Sequence, residues 1–213
     1  MATTTKRSLV EAVLDRFGRT YAEEIGIRLK DTPSALYQLL NATMLLSARI
    51  PAKNAVQAAA ALGEAKLTTP KKMAEASWQD RVDVLTWHGY KRYDERTSTM
   101  LGDTAGMILD RYDGDLRKLR AEANRDVAAE HRLLRQFKGI GPVGADIFLR
   151  EVQAVWEEAY PYVDARVAKA AGKLGLPEDA KALARLVDRA DFPRFVAALV
   201  RVDLAKAYGD LTQ

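Results

Sequence analysis

The chain has no cysteine among its 213 residues. That excludes disulfides, zinc–thiolate centres and cysteine-ligated iron–sulfur clusters. No apolar run approaches the roughly 20 residues that a membrane-spanning helix needs. The first residues, Met1 to Ser8, are short, polar and without the apolar core of a secretory signal. Together these absences predict a cytoplasmic protein with no membrane partner. Alternating apolar–polar runs bounded by turn residues are also missing, so no strand is expected. No Gly/Ser/Pro-rich linker or low-complexity tract divides the chain. Charge of one sign is scarce: the net charge is +4 and the pI about 9.2, a mild excess that fits a nucleic-acid binder and many metabolic enzymes equally.

What is present is helical periodicity. Apolar residues recur at three- and four-residue spacing in Leu9-Val10-Val13-Leu14-Phe17 and in Leu36-Leu39-Leu40-Thr43-Met44. Thr32-Pro33 and Thr69-Pro70 each join a cap to a first-turn proline. Ser77, Asn124 and Asp191 stand where further caps are expected. The pattern predicts helices near 9–18, 20–28, 33–48, 51–62, 70–76, 78–86, 93–112, 125–136, 142–156, 165–174, 178–189 and 193–208. The alanine-rich stretch from Ala55 to Leu62 reads as a closely packed helix. The predicted fold class is all-α.

The most informative segment runs from Leu134 to Ile147. One helix ends near Gln136, Gly139-Ile140-Gly141 makes a tight turn, and Pro142 opens a new helix. Glycines on either side of Ile140 let the backbone turn sharply while the isoleucine plugs the core. The new helix then turns unbonded N–H groups near Val143 and Gly144 outward, where they can hold a phosphate oxygen. Arg135 and Lys138 add positive charge. An ordinary helix–helix corner with a glycine C-cap reads the same way. About twenty residues on, Tyr160-Pro161-Tyr162-Val163-Asp164-Ala165-Arg166-Val167 places a carboxylate at a helix start, where aspartate is also a common N-cap.

Taken together, these two segments resemble the helix-hairpin-helix GPD superfamily of DNA glycosylases, in its endonuclease III branch. Phe137 to Ala145 occupies the family's hairpin, and Val163-Asp164-Ala165-Arg166-Val167 its essential-aspartate motif. Met44-Leu45-Leu46-Ser47-Ala48-Arg49 is similar to the family's Leu-Leu-Ser-Ala-Gln segment, and His88-Gly89-Tyr90 to its Gly-x-Tyr. Order and spacing agree from about residue 33 to 208.

The resemblance implies two helical lobes with a DNA-binding cleft between them: 33–155, a six-helix lobe with the hairpin, and 1–32 with 156–213. It implies base-excision repair by a monomer, at the nucleoid, on double-stranded DNA carrying a damaged base. Asp164 takes the role of the catalytic carboxylate, steadying a cationic sugar as the base leaves. Lys138, Gly139, Ile140, Gly141, Val143, Gly144, Arg135 and Arg49 take the role of DNA contacts. Arg49, in place of the family's glutamine, fills the gap left by the extruded base, although a plain surface arginine after a helix end fits equally. His88, Tyr90 and Val143 complete the base pocket or wedge, although a packed aromatic corner accounts for His88 and Tyr90 as well. Lys91 and Arg92 read either as phosphate neighbours or as solvated charges.

There are two departures from the family. Bifunctional members carry a lysine where this chain has Val143, so hydrolysis without efficient strand cleavage is expected. The family's four-cysteine cluster is missing near Val202-Asp203-Leu204, so no cofactor is expected, a monovalent cation at the hairpin excepted. Thr43 stands where adenine-excising relatives carry a glutamate, which argues against that specialisation. Three alternatives remain: a non-catalytic DNA-binding homologue, a bifunctional glycosylase/lyase using a relocated lysine, and, with the resemblance set aside, a helical interaction domain.

Overall fold

The structure, a computed structural model, describes residues 6–87 and 89–211. Among the described residues there is no strand, and the chain winds through α1 (Lys6–Phe17), α2 (Tyr21–Ile25), α3 (Pro33–Leu46), α4 (Ala52–Glu64), α5 (Pro70–Glu75), α6 (Trp78–Trp87) and α7 (Asp94–Tyr112). It continues through α8 (Arg117–Glu122), α9 (Val127–Leu134), α10 (Pro142–Val152), a 3₁₀ turn (Glu157–Ala159), α11 (Ala165–Lys173), α12 (Ala180–Ala184) and α13 (Phe192–Ala205).

Local chemistry sets most boundaries. Thr32 and Thr69 take extended backbone before Pro33 and Pro70, and the Thr69 hydroxyl accepts from the Lys72 amide. Ser77 and Asp80 form a reciprocal cap: the Ser77 amide donates to Asp80 and the Asp80 amide to Ser77, both at 3.0 Å. The cap expected at Asn124 lies elsewhere. Asn124 and Arg125 adopt left-handed backbone, and Asp126 accepts from the Ala129 amide at 2.7 Å. Helix α8 has no counterpart in the sequence pattern, because six residues with one fully buried leucine, Leu119, show no period. Helix α10 stops at Val152 rather than 156, and the 3₁₀ turn follows it. Helix α12 is likewise shorter than the predicted 178–189.

The described chain forms two compact units, residues 22–149 and residues 1–21 with 150–213, and the division falls inside α10. In the first, α3 packs on α4, α4 on α6, and both α5 and α6 on α7. Ala55 and Ala58 are fully buried, so their small side chains let α4 approach α3 closely. The buried Arg81 ties three helices together, donating from Nε to Ser98 O at 3.0 Å and from Nη1 to Met73 O and Ala76 O at 3.0 and 2.7 Å. Its guanidinium fits because residue 102 is glycine: a Cβ there would lie 2.9 Å from Nη2.

In the second unit α13 is the central helix, flanked by α1 and α11. Leu9, Val10 and Val13 bury against Phe192, Phe195, Val196 and Leu199. The Tyr160 ring meets Phe192 edge-on at 5.3 Å. Among the described residues, no helix is long and apolar enough to cross a membrane.

Candidate nucleic-acid interface and carboxylate site

In the 22–149 unit, α9 ends at Leu134 and the chain turns through Phe137 to Gly141 into α10. Gly139 has φ +87°, the left-handed region that favours glycine. A Cβ there would also lie 2.8 Å from Met100 Sδ and 3.2 Å from Met44 Cγ. Ile140 and Phe137 are buried, as a core plug requires, while Lys138, Gly139, Gly141 and Val143 face solvent. The first backbone bond of α10 is Ala145 N–H to Gly141 O at 3.0 Å; among the described residues no bond claims the Val143 and Gly144 amides. These are unbonded donors of a helix N-terminus; Val143 is exposed and suited to an anionic oxygen, whereas Gly144, expected to face DNA, is buried.

Charge around the turn is uneven. Lys138 donates to Asp103 at 2.8 Å across an exposed surface, a contact worth at most about 1 kcal/mol and readily exchanged for a phosphate. Arg135 is exposed at the end of α9. Val143 is 56% exposed on the first turn of α10.

The same unit brings together residues that are far apart in sequence. Arg49, Tyr90 and Gly139 share one cavity of about 230 Å³, which the hairpin closes against the end of α3 and the start of α7. Val143 does not line it, and His88 lies outside the described residues. Tyr90 is only 2% exposed, and Thr97 Oγ1 lies 3.2 Å from its hydroxyl. Burial foremost pushes this phenol above its ordinary value, so it stays protonated at neutral pH. Sequence reasoning missed Tyr93, Arg96 and Met100, which line the same cavity. Their three- and four-residue spacing along α7 was the available signal.

Asp164 belongs to the other unit. Its Oδ1 accepts from the Arg166 and Val167 amides at 2.8 and 3.1 Å, which makes it the N-cap of α11. Its Oδ2 lies 3.1 Å from Arg150 Nε, with side-chain exposures of 7% for the aspartate and 8% for the arginine. Oδ2 is buried and accepts no directed hydrogen bond, so this contact is ionic rather than aligned. Arg150 was also missed; its signal is a pair of charges, Arg150-Glu151, interrupting the apolar run of α10. Beyond α11, Asp203 accepts from Tyr208 at 2.7 Å, Arg166 at 3.1 Å and Lys173 at 3.2 Å. The Tyr208 hydroxyl is foremost in holding the Asp203 carboxyl below the usual range, and Lys173 and Arg166 reinforce it against burial. Among the described residues no cluster of histidine and carboxylate side chains could hold a metal ion.

No protein-family model matches the chain, and no curated protein matches it in sequence. Solved structures do. The chain is similar to H. pylori 3-methyladenine DNA glycosylase (MagIII) bound to 1,N6-ethenoadenine, at TM-score 0.57 and 15% identity over 94% of this chain and 97% of that one. It is also similar to endonuclease III in a non-covalent DNA complex, at TM-score 0.52 and 16% identity over 93% of this chain and 86% of that one. A trapped endonuclease III–DNA covalent intermediate gives TM-score 0.50 at the same identity and coverage. The chain therefore has the all-α helix-hairpin-helix fold of these glycosylases, as the hairpin and aspartate motifs predicted.

Proposed function

We propose that the protein is a DNA glycosylase that binds duplex DNA carrying a damaged base, unstacks that base and hydrolyses its N-glycosidic bond. The observation that carries the reading is Asp164: a buried carboxylate fixed by two backbone amides at a helix start. As the C1′–N bond breaks, its electron pair leaves with the base and the sugar becomes an oxocarbenium ion. Water then attacks C1′ and gives up a proton. A preorganised carboxylate stabilises the cation and accepts that proton. The fold supports the reading, since the structures that share it are DNA glycosylases. The outward turn at 138–144 and Arg135 supply phosphate contacts, which position DNA without reading its sequence. Val143 offers no amine, so the reaction stops at the abasic site. The protein works as a cytoplasmic monomer and needs no cofactor.

The Arg150–Asp164 contact favours a second reading, a DNA-binding homologue without turnover, because a carboxylate buried against a cation is shielded from a sugar.

Duplexes carrying single lesions separate the readings. The glycosylase reading expects base release that yields strand breaks only after alkali, and no borohydride trap on abasic DNA. Asp164→Asn should lower release by at least about 10²-fold, the usual loss when a preorganised electrostatic stabiliser is removed, with affinity for DNA retained. Undiminished release by Asp164→Asn sinks the assignment, a strong trap with the parent protein identifies a lyase, and binding without release by the parent selects the second reading.

A further inference from the structure

We infer that the cavity bounded by Arg49, Tyr93 and Arg96 receives one unstacked, deaminated base and reads the carbonyl that has replaced its amino group. This rests on the glycosylase reading and narrows it to a substrate class. The cavity's volume of about 230 Å³ is below the roughly 300 Å³ at which drug-sized pockets begin, so it suits a single ring system. Its wall carries two guanidiniums and no carboxylate. Asp94 and Glu95 precede Arg96 on α7 but stay out of the lining. Asp94 is engaged instead with the Thr86 hydroxyl at 2.6 Å and the Glu95 amide at 2.9 Å. Among the described residues neither Arg49 nor Arg96 has an ion-pair or hydrogen-bond partner. Lys138, Arg111, Arg117, Arg120, Arg166 and Lys173, by contrast, are each paired with a carboxylate.

Arginine only donates hydrogen bonds. The amino groups of adenine and cytosine are also donors, so they meet no acceptor on these side chains. Deamination exchanges the amine for a carbonyl: hypoxanthine then presents the O6/N7 edge that arginine grips with two parallel bonds, and uracil presents O4. Alkylated purines that carry a positive charge are repelled by the same two cations. Guanine and thymine also have carbonyls, but they sit in intact pairs, and extrusion costs least for a mispaired base. Tyr93 supplies the stacking face. It is half-buried at the start of α7, with the Arg92 guanidinium 5.3 Å from its ring centroid.

The test uses the full-length protein and duplexes whose target nucleotide carries a 2′-fluorine, which blocks cleavage and leaves binding as the readout. The bases are uracil, hypoxanthine, 7-methylguanine and an undamaged control. Uracil and hypoxanthine should bind more tightly than 7-methylguanine. In Arg96→Lys, which keeps the charge and loses the planar fork, the preference for hypoxanthine over the undamaged control should shrink by roughly 5- to 150-fold, the discrimination carried by one bidentate contact. Arg96 is exposed, so the variant keeps its fold, and circular dichroism verifies this. Tighter binding of 7-methylguanine, or an undiminished preference in Arg96→Lys, overturns the inference. Fluorine-free duplexes separate the two claims. A preference without base release refutes the glycosylase reading alone, whereas release without a preference refutes the deaminated-base reading alone.

Discussion

Replacing Arg150 with methionine keeps the side chain's length and removes its charge, leaving Asp164 ionised in a site where its side chain is 7% exposed. Breaking a buried ion pair by deleting one partner costs about 3–5 kcal/mol, because the survivor stays desolvated. Asp164→Asn should cost about 3 kcal/mol on the same ground, with the cap's oxygen retained. The double variant strands neither charge and should lose only about 1–2 kcal/mol, chiefly of capping and packing. The coupling between the sites is therefore at least about 4 kcal/mol, far above the 0.3–0.5 kcal/mol within which independent sites add. Trp156 is fully buried in the same unit, so its fluorescence in a Trp78→Phe/Trp87→Phe background reports unfolding there. At roughly 2 kcal/mol per M of urea, Arg150→Met should lower the midpoint by about 1.5–2.5 M. Additive single and double variants would show that the 3.1 Å contact carries no energetic coupling and would remove Arg150 from any account of Asp164.

Two further outcomes follow from the geometry. Gly139→Ala should destabilise the hairpin by about 1–3 kcal/mol through left-handed strain and the clash with Met100, whereas Gly144→Ala, whose Cβ would find only ordinary contacts at 3.4 Å and beyond, should be near neutral in urea melts; equal losses would refute the packing argument. Asp203 has its folded pKa depressed, so its stabilisation is complete above the unfolded value of about 3.9 and is lost as pH falls through the folded one. Asp203→Asn should therefore flatten the decline in urea midpoint between about pH 5 and 2, and a parallel decline in both proteins would refute the linkage.

The sequence exposed what depends on neighbouring residues. Thr69-Pro70, Ser77 with Asp80, and Gly139-Ile140-Gly141-Pro142 each impose a local geometry that no distant contact overrides, and each stands where the pattern placed it. Asn124 failed because two acceptable caps stood two residues apart, and left-handed backbone at 124 and 125 handed the role to Asp126. Val143 could be matched to a family position yet not to a cavity, since its place depends on how α10 starts. Arg150 against Asp164, and Arg96 beside Arg49, are tertiary facts: the partners lie 14 and 47 positions apart and no local rule pairs them. Arg150 left the trace of a charge pair inside an apolar helical run, and Arg96 that of its spacing from Tyr93 and Met100 along α7.

The unit that joins residues 1–21 to 150–213 has a consequence for synthesis. Helix α1 is made before α13, and its main packing partner is missing until α13 emerges, roughly 9–35 s later at about 5–20 residues per second. Residues 22–149 are contiguous and can condense while the ribosome is still translating. For that interval Leu9, Val10 and Val13 form an uncovered greasy stripe, the kind of transient surface on which chaperones act.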